Sequence, residues 1–581
     1  MGKETIDRRK FIKAGAAAVS AVAVLDVGSA IAKEASSPAT AQPAPTIYFN
    51  GTILTMEGDT PGYIEAVAVK DGKIVHAGSK AHALAKLPRA TQVDLQGRTM
   101  LPGFIDSWGH FTLFAQQTLG VNLAYFSPNP PASRADVIKL LKQTTPFNGW
   151  IIGYGYVAAM LKDGALTLAD LDAAFPDTPV MIVTLSTLTG QINSAGIAKL
   201  GLTPDSKAPS PGVIVKDPKT GKLTGELLFT PFLMARLAAV GAYPQSVSIK
   251  TFKAAEALLA QQGYTTVQTY QLNPQELQDL RAAFDQGALA VDVIGMPSVS
   301  DAATGKFVMD ADWKWGAYSH GDHGLKIPGY QVATDASPQL RLAAFTEPYL
   351  DTTGLPDGWK GMLLPKEQVE HWVGYAYQND IQLYCYSNGD AGIDMSLAAI
   401  EKAIAATGKT GDRGTVVAHS YFVRQDQLET YKKHHLGASM MPPHMMVYGD
   451  LLMKLLGPAR ATMESPLASA FKLNSKTTMH CDCPSASPNM MEAVGTAVTR
   501  KTMSGQVLGP QERISPYHAL LAATRNTAHT YREEAIKGTI TAGKFADLVI
   551  LDANPLTVAP DKIRDIKVVE TIKRGQSLYR A

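Results

Sequence analysis

Cysteine is scarce: Cys385, Cys481 and Cys483 are the only three in 581 residues, too few for a disulfide framework. On a strand Cys481 and Cys483 would stand roughly 6.6 Å apart, at the far edge of disulfide reach. All three are therefore expected as free thiols packed as small apolar groups. Excess charge of either sign is also missing. The chain carries 54 basic and 52 acidic residues, a formal charge of +2, and has no basic stripe interleaved with aromatics, which excludes an electrostatic nucleic-acid binder. No long unbroken apolar run occurs, because the Ala/Val-rich N-terminal stretch is interrupted by Asp26 and Gly28, which argues against a stable membrane anchor. Internal repeats are not evident. What is present, 45% hydrophobic and 18% charged residues, is enough for a large buried core.

The N-terminus reads Asp7-Arg8-Arg9-Lys10-Phe11-Ile12-Lys13, then an apolar stretch ending in Ala30-Ile31-Ala32. A basic region, an apolar core and a small-residue cleavage site predict an export signal over residues 1–32, and the paired arginines point to the twin-arginine machinery. The chain is thus expected to be periplasmic or otherwise exported. Residues 33–46, rich in Ala, Ser and Pro, read as a flexible lead-in.

Residues 47–99 alternate like strands, with Lys70-Asp71-Gly72-Lys73 as a hairpin turn. Strand patterns return in residues 531–581, at Ala546 to Asp552 and Val568 to Tyr579. Between them, residues 100–530 alternate short apolar runs with helical stretches. The strand candidates are Val180 to Leu185, Thr265 to Thr269, Gln331 to Thr334, Ile381 to Tyr386, Thr415 to His419, Gly437 to Met441 and Thr477 to Asp482. The helix candidates include Ser248 to Gln262, Pro274 to Asp285 and Asp394 to Ala406. Such alternation predicts βα units and an α/β barrel.

The organising stretch is Met100 to Phe111, MLPGFIDSWGHF. Read as an extended strand, it sends Asp106, Trp108 and His110 to one face, which at the end of a barrel strand is the active-site mouth. Pro102-Gly103-Phe104-Ile105-Asp106 followed by His110 resembles the first strand of the amidohydrolase superfamily, in which PGFID precedes two histidines. Asn388-Gly389-Asp390 with Ile393-Asp394 resembles its YtcJ-like branch, amidohydrolase family 3. The resemblance implies a (β/α)8 TIM-like barrel with a small β-sandwich built from both terminal regions. It also implies metal-assisted hydrolysis of a carbon–nitrogen or similar bond in a small molecule.

Carried over position by position, the resemblance makes His110, His419 and Asp482 metal or catalytic residues. The chain departs elsewhere: Trp108 stands where the first metal-binding histidine would be, Tyr386 where another would be, and Gln331 where the branch has a lysine that becomes carboxylated. Indole has no lone pair to offer a metal, and an amide cannot form a carbamate. A binuclear centre with a carboxylated lysine is therefore not expected, and the cofactor is none or one divalent metal, zinc or manganese, on His110, His419 and Asp482. His480 and Asp482 would share a strand face, with Cys481 turned away. Trp108, Tyr384, Gln331, Leu188, His444 and Val157 are expected to line a pocket for an apolar small molecule. His444 matches a family position just beyond a barrel strand.

Three functional readings follow. One is single-metal hydrolysis. The second is a metal-independent acid–base enzyme, an isomerase, hydratase or lyase, using Asp482, His419, His110 and Tyr386. The third is a non-catalytic binding protein on the same scaffold. A homo-oligomer is compatible with all three.

Overall fold

The computed structural model describes residues 44–209, 212–299, 302–310, 313–353, 355–473 and 476–581. The expected export signal and most of the flexible lead-in lie outside the described residues. Two compact units are present, residues 117–248 and the remainder.

In the larger unit, the two terminal regions meet in one eight-stranded sheet. Its order is Gln576–Arg580, Val568–Lys573, Leu548–Leu551, Thr99–Pro102, Thr46–Leu54, Tyr63–Lys70 and Lys73–Gly78, with Thr91–Asp94 also paired to Thr46–Leu54. The hairpin falls at the predicted turn: Lys70 pairs with Lys73, and Asp71 and Gly72 take φ of 51° and 74°. Positive φ at both central residues matches the right-handed strand twist. The C-terminal chain joins through Leu551 opposite Thr99 and Leu548 opposite Pro102. Ile53, Val67, Ile74, Met100, Ile550 and Ile572 form its core.

The same unit carries a run of parallel strands in chain order: Phe104–Ile105, Tyr264–Tyr270, Asp292–Met296 continued by Ser298–Val299, Gly329–Ala333, Gln382–Ser387, Val416–His419, Gly437–Met440 and Thr478–Met479. Every residue of Tyr264–Tyr270 and Asp292–Met296 is buried. Both faces of these strands are covered, so polar members such as Thr265, Gln268 and Asp292 are buried along with Val267, Val293 and Ile294. Helices separate them. Pro274–Asp285 has the predicted bounds because Asn273 and Glu276 close a reciprocal capping box and Pro274 opens the first turn. The other two predicted helices are Gln245–Ala260 and Asp390–Thr407. This is a TIM-barrel-like α/β domain.

Residues 117–248 hold their own six-stranded sheet, in the order Gly212–Lys216, Leu223–Phe229, Thr189–Ile192, Val180–Thr184, Ile151–Tyr156 and Val121–Asn122. The strand expected at Val180 to Leu185 belongs here and not to the parallel run, because its two edges are taken by Ile151–Tyr156, in parallel, and by Thr189–Ile192, antiparallel. Trp150, Ile152, Met181, Val183 and Phe232 pack one core of this unit, and Leu123, Val137, Leu141 and Leu171 another.

All three cysteines are free and buried. Cys385 sits in the main core, and burial pushes its thiol up to about 12. No helix among the described residues is long and apolar enough to cross a membrane.

Candidate active site

The first parallel strand ends at Ile105, so the expectation that Asp106, Trp108 and His110 share a strand face is not met. Instead the chain turns, and Asp106 Oδ1 accepts a hydrogen bond from Trp108 N at 3.2 Å. A Cβ at Gly109 would fall 2.0 Å from Asp106 Oδ2, so this tight return requires glycine. The loop is pinned outward by Gly109 N donating to Gln268 Oε1 (2.8 Å), Tyr270 N to Gly109 O (3.0 Å) and His110 N to Cys483 O (3.0 Å). Burial raises the Asp106 carboxyl to about 7 against the pull of the Trp108 N–H. The turn nevertheless brings Trp108 and His110 together, with ring centroids 4.7 and 4.9 Å from that of Tyr270.

The last strand also stops early, at Met479, and Asp482 takes φ 53°. His480 and Asp482 therefore do not share a face. His480 turns inward, its Nε2 3.0 Å from His419 Nδ1 and its Nδ1 2.8 Å from Ser439 Oγ. Asp482 turns to His110, with Oδ1 3.2 Å from His110 Nε2 and side-chain exposures of only 12% and 14%. The contact is close but not aligned as a hydrogen bond, since Asp482 Oδ1 accepts none, a looseness common in unliganded catalytic pairs. His419 and Ser420 also hold left-handed φ, 68° and 45°. Such non-glycine conformations cost about 1–3 kcal/mol each and gather at functional sites.

Burial alone would raise the Asp482 carboxyl, but the His110 imidazole beside it and His419 beyond hold it below the ordinary carboxylate range. Burial pushes His419 well below the usual imidazole range, opposed by Asp482. His480 is lowered to about 3, by burial first and then by His110 and His444. Asp482 thus stays ionised while His419 and His480 stay neutral.

Aromatic rings fill the rest. Trp108 lies 5.2 Å from His419, 5.8 Å from Tyr386 and 6.2 Å from Tyr384. Tyr386 stacks on Tyr270 at 6.3 Å and meets His419 at 4.7 Å. Burial raises the Tyr386 phenol far above its ordinary value, so it stays protonated. Gln331 donates through Nε2 to Tyr270 OH at 2.8 Å. Gln331 Oε1, Gln268 Nε2 and Trp108 Nε1 are buried without partners among the described residues, a cost of about 1–3 kcal/mol apiece.

His444 lies just beyond the strand Gly437–Met440, in the first turn of the helix Pro442–Leu456, where Pro442 and Pro443 need no helical N–H partners. Its Nδ1 is 2.5 Å from Glu464 Oε1 and its Nε2 2.9 Å from Gln339 Oε1. Tyr421 is stacked between His444 and His419, at 4.3 and 4.9 Å. Tyr270, Ser439, Glu464 and Gln339 were not foreseen, since each joins the site from a distant segment without a motif of its own.

Leu188 and Val157 belong to residues 117–248. Leu188 sits between Val180–Thr184 and Thr189–Ile192, its carbonyl accepting from Phe229 N at 2.9 Å. Val157 helps to line a cavity of about 180 Å³ with Leu123, Tyr125, Pro130, Tyr156 and Met160.

The side chains do not fit the bridged pair of metals that the resemblance implies. An indole and a phenol that keeps its proton press on His419 where ligands would stand, and the Gln331 amide is tied to Tyr270. His419 Nδ1 and both His480 nitrogens are engaged with one another or with Ser439. Among the described residues, no three His, Cys, Asp or Glu side chains are arranged to hold an ion.

A TIM-barrel-like domain with histidines and an aspartate at its strand ends, joined to a sheet built from both termini, defines the class as amidohydrolase-like. The chain belongs to the amidohydrolase family, whose model matches residues 91–579, and it is YtcJ-like. It is 25% identical to the putative amidohydrolase YtcJ of Bacillus subtilis (strain 168), over 92% of this chain and 99% of that one. It is 24% identical to N-substituted formamide deformylase of Arthrobacter pascens, over 89% and 95%. Its fold is shared with an uncharacterized metal-dependent hydrolase from Pyrococcus horikoshii OT3, at a TM-score of 0.70 and 21% identity, over 89% and 99%. The chain is a hydrolase. Hydrolysis is the reading, of the three open from the sequence, that the family and these relatives support.

Proposed function

We propose that this hydrolase cleaves a carbon–nitrogen or related acyl bond in a small apolar molecule, with Asp482 and His110 as its acid–base pair and without a bridged pair of metal ions. The observation that carries this reading is a buried, ionised carboxylate 3.2 Å from an imidazole, walled by Trp108, Tyr270 and Tyr386. Asp482 takes a proton from water as the hydroxyl oxygen bonds to the acyl carbon, and returns it to the leaving nitrogen or oxygen as that bond breaks. His110 steadies the carboxylate. The Tyr386 phenol, kept protonated by burial, donates to the oxyanion that forms meanwhile. Trp108 Nε1 and Gln331 Oε1, unpaired in the free protein, supply a donor and an acceptor for a polar substrate group among apolar rings.

A family metal would lower the pKa of bound water from 15.7 to about 7. Without a bridged pair, this site suits activated acyl groups, and the name of the Arthrobacter relative makes N-substituted formamides with apolar substituents the first class to try. Protein purified without chelators or a metal-affinity column should hold far less than one equivalent of zinc or manganese and keep its turnover of N-aryl and N-alkyl formamides in chelator. Asp482→Asn and Tyr386→Phe should each lower kcat at least tenfold. Activity lost on chelation and restored by zinc would sink the reading.

We also infer that the parallel run closes into a (β/α)8 barrel flanked by a β-sandwich. Support comes from Ser107 Oγ donating to Met479 O and His110 N to Cys483 O, each at 3.0 Å, between the ends of the first and last strands. Export by the twin-arginine route is proposed from Arg8, Arg9 and Ala30-Ile31-Ala32. Cell fractionation should find Arg8→Lys/Arg9→Lys protein retained and uncleaved; unchanged export would refute it.

A further inference from the structure

The acid–base reading leaves one group without a defined role: His419, buried, neutral and bonded through Nδ1 to a second histidine. Its neighbours form a chain across four strand ends. Ser107 Oγ lies 3.0 Å from Met479 O and 3.0 Å from Ser439 Oγ. Ser439 Oγ lies 2.8 Å from His480 Nδ1, and His480 Nε2 lies 3.0 Å from His419 Nδ1. All five residues are buried, so water does not substitute for any link.

A proton inventory fixes the direction of every link. A carbonyl oxygen only accepts, so Ser107 spends its single hydroxyl proton on Met479 O. Ser107 Oγ therefore accepts from Ser439, which spends its own proton. Ser439 Oγ must then accept from His480 Nδ1–H. A neutral imidazole has one N–H, so His480 Nε2 carries a lone pair and accepts from His419 Nδ1–H.

We propose that Ser107, Ser439 and His480 are positioning residues that lock His419 in its Nδ1–H tautomer, leaving the Nε2 lone pair as its one basic atom. Met479 O is the anchor that sets the direction of the whole chain. The inventory is that of a neutral ring: both His480 nitrogens are engaged, with Ser439 Oγ and His419 Nδ1 and not with a carboxylate, whereas a protonated His480 would donate at both ends and reverse the last link. The use of that lone pair as a proton acceptor beside Asp482 rests on the acid–base reading above. The tautomer itself does not.

The test is long-range 1H–15N correlation NMR on the full chain with 15N-histidine, at pH 7, with His419 assigned by the signals lost in His419→Gln. In the unsubstituted protein His419 should show a protonated Nδ1 and a bare Nε2, and His480 the same. Ser439→Ala removes the acceptor of His480 Nδ1–H, and both rings should then switch to Nε2–H. Ser439→Thr should restore the original pattern. A His419 protonated at Nε2 in the unsubstituted protein, or a Ser439→Ala spectrum with both tautomers unchanged, overturns the inference. The unsubstituted spectrum decides it even if Ser439→Ala does not fold. If the tautomers follow the inference while Asp482→Asn remains fully active, the acid–base reading falls and the locked His419 stands.

Discussion

Trp108 replaces a ligand with a wall. Its indole, fully buried, packs among the rings of Tyr270, Tyr384, Tyr386, His419 and His480, at the position where the family resemblance would put a ligand. The departures at Tyr386 and Gln331 are of one kind with it, since each exchanges a ligand for a group that packs or hydrogen-bonds with Tyr270. His480 adds a consequence for stability. Burial, then the nearby His110 and His444, depress its pKa to about 3, against about 6.5 for an unfolded histidine. Between those values the unfolded chain binds a proton that the folded chain refuses, so stability rises with pH there and is lost on acidification from 6.5 toward 3. One group contributes at most about 1.4 kcal/mol per pH unit. His480→Gln should therefore lose less melting temperature than the unsubstituted protein between pH 6.5 and 4.5, whatever its deficit at pH 7.5. Parallel Tm-against-pH curves would contradict the assigned neutral His480.

At the scale of elements, the sequence was most legible where a local rule decides the outcome. Lys70 to Lys73 carry their turn chemistry in two residues, and Pro274–Asp285 carries a capping box and an opening proline. The parallel strands at Val416–His419 and Gly437–Met440 came within a residue of expectation. Both misread ends are strand-to-loop junctions: Ile105 and Met479 end their strands because Asp106 folds back on Trp108 N and Asp482 turns left-handed. Alternation fixes faces only while the strand lasts, and site residues stand one to five positions beyond it. Asp335 illustrates what no window of sequence reveals. It receives hydrogen bonds from Ala344 N, Asn388 N, Asn388 Nδ2 and Gly389 N, tying the loop after Gly329–Ala333 to the Asn388-Gly389-Asp390 motif. In the sequence that motif carried only a family resemblance; here Asn388 and Gly389 serve as donors to the buried Asp335 carboxyl. Within residues 117–248 only the strand at Val180 to Leu185 was legible, and the separate sheet was not, because pairing partners such as Gly212–Lys216 and Leu223–Phe229 have no sequence mark of their own.

At the scale of the larger unit, a buried network of six charges joins the terminal sheet to the parallel strands. Lys573 donates to Asp292 and Asp547 at 2.7 and 2.8 Å, Lys537 to Asp292 at 2.6 Å, and Lys326 to Glu533 at 3.0 Å, all with side chains at most 6% exposed. Three lysines balance three carboxylates, and Asp292 stays ionised because Lys537 and Lys573 overcome its burial. The network extends to the site, since Lys326 also donates to Tyr531 O and Tyr531 OH to Asp106 O, at 2.7 and 2.8 Å. Ion pairs of this kind add little net stability when intact, but removing one partner strands a charge without solvent, at about 3–5 kcal/mol. Lys573→Met keeps most of the apolar stem and deletes only the charge, so that penalty should appear almost whole. Lys501, paired with Asp561 on the surface, is the matched control, since exposed pairs contribute about 0–1 kcal/mol. Two compact units need not melt together, so the comparison is made on the calorimetric transition that Lys573→Met displaces. That transition should fall by several degrees in Lys573→Met and by less than a degree or so in Lys501→Met. Equal shifts would mean that water reaches the six charges, and that packing alone couples the terminal sheet to the loop carrying Trp108 and His110.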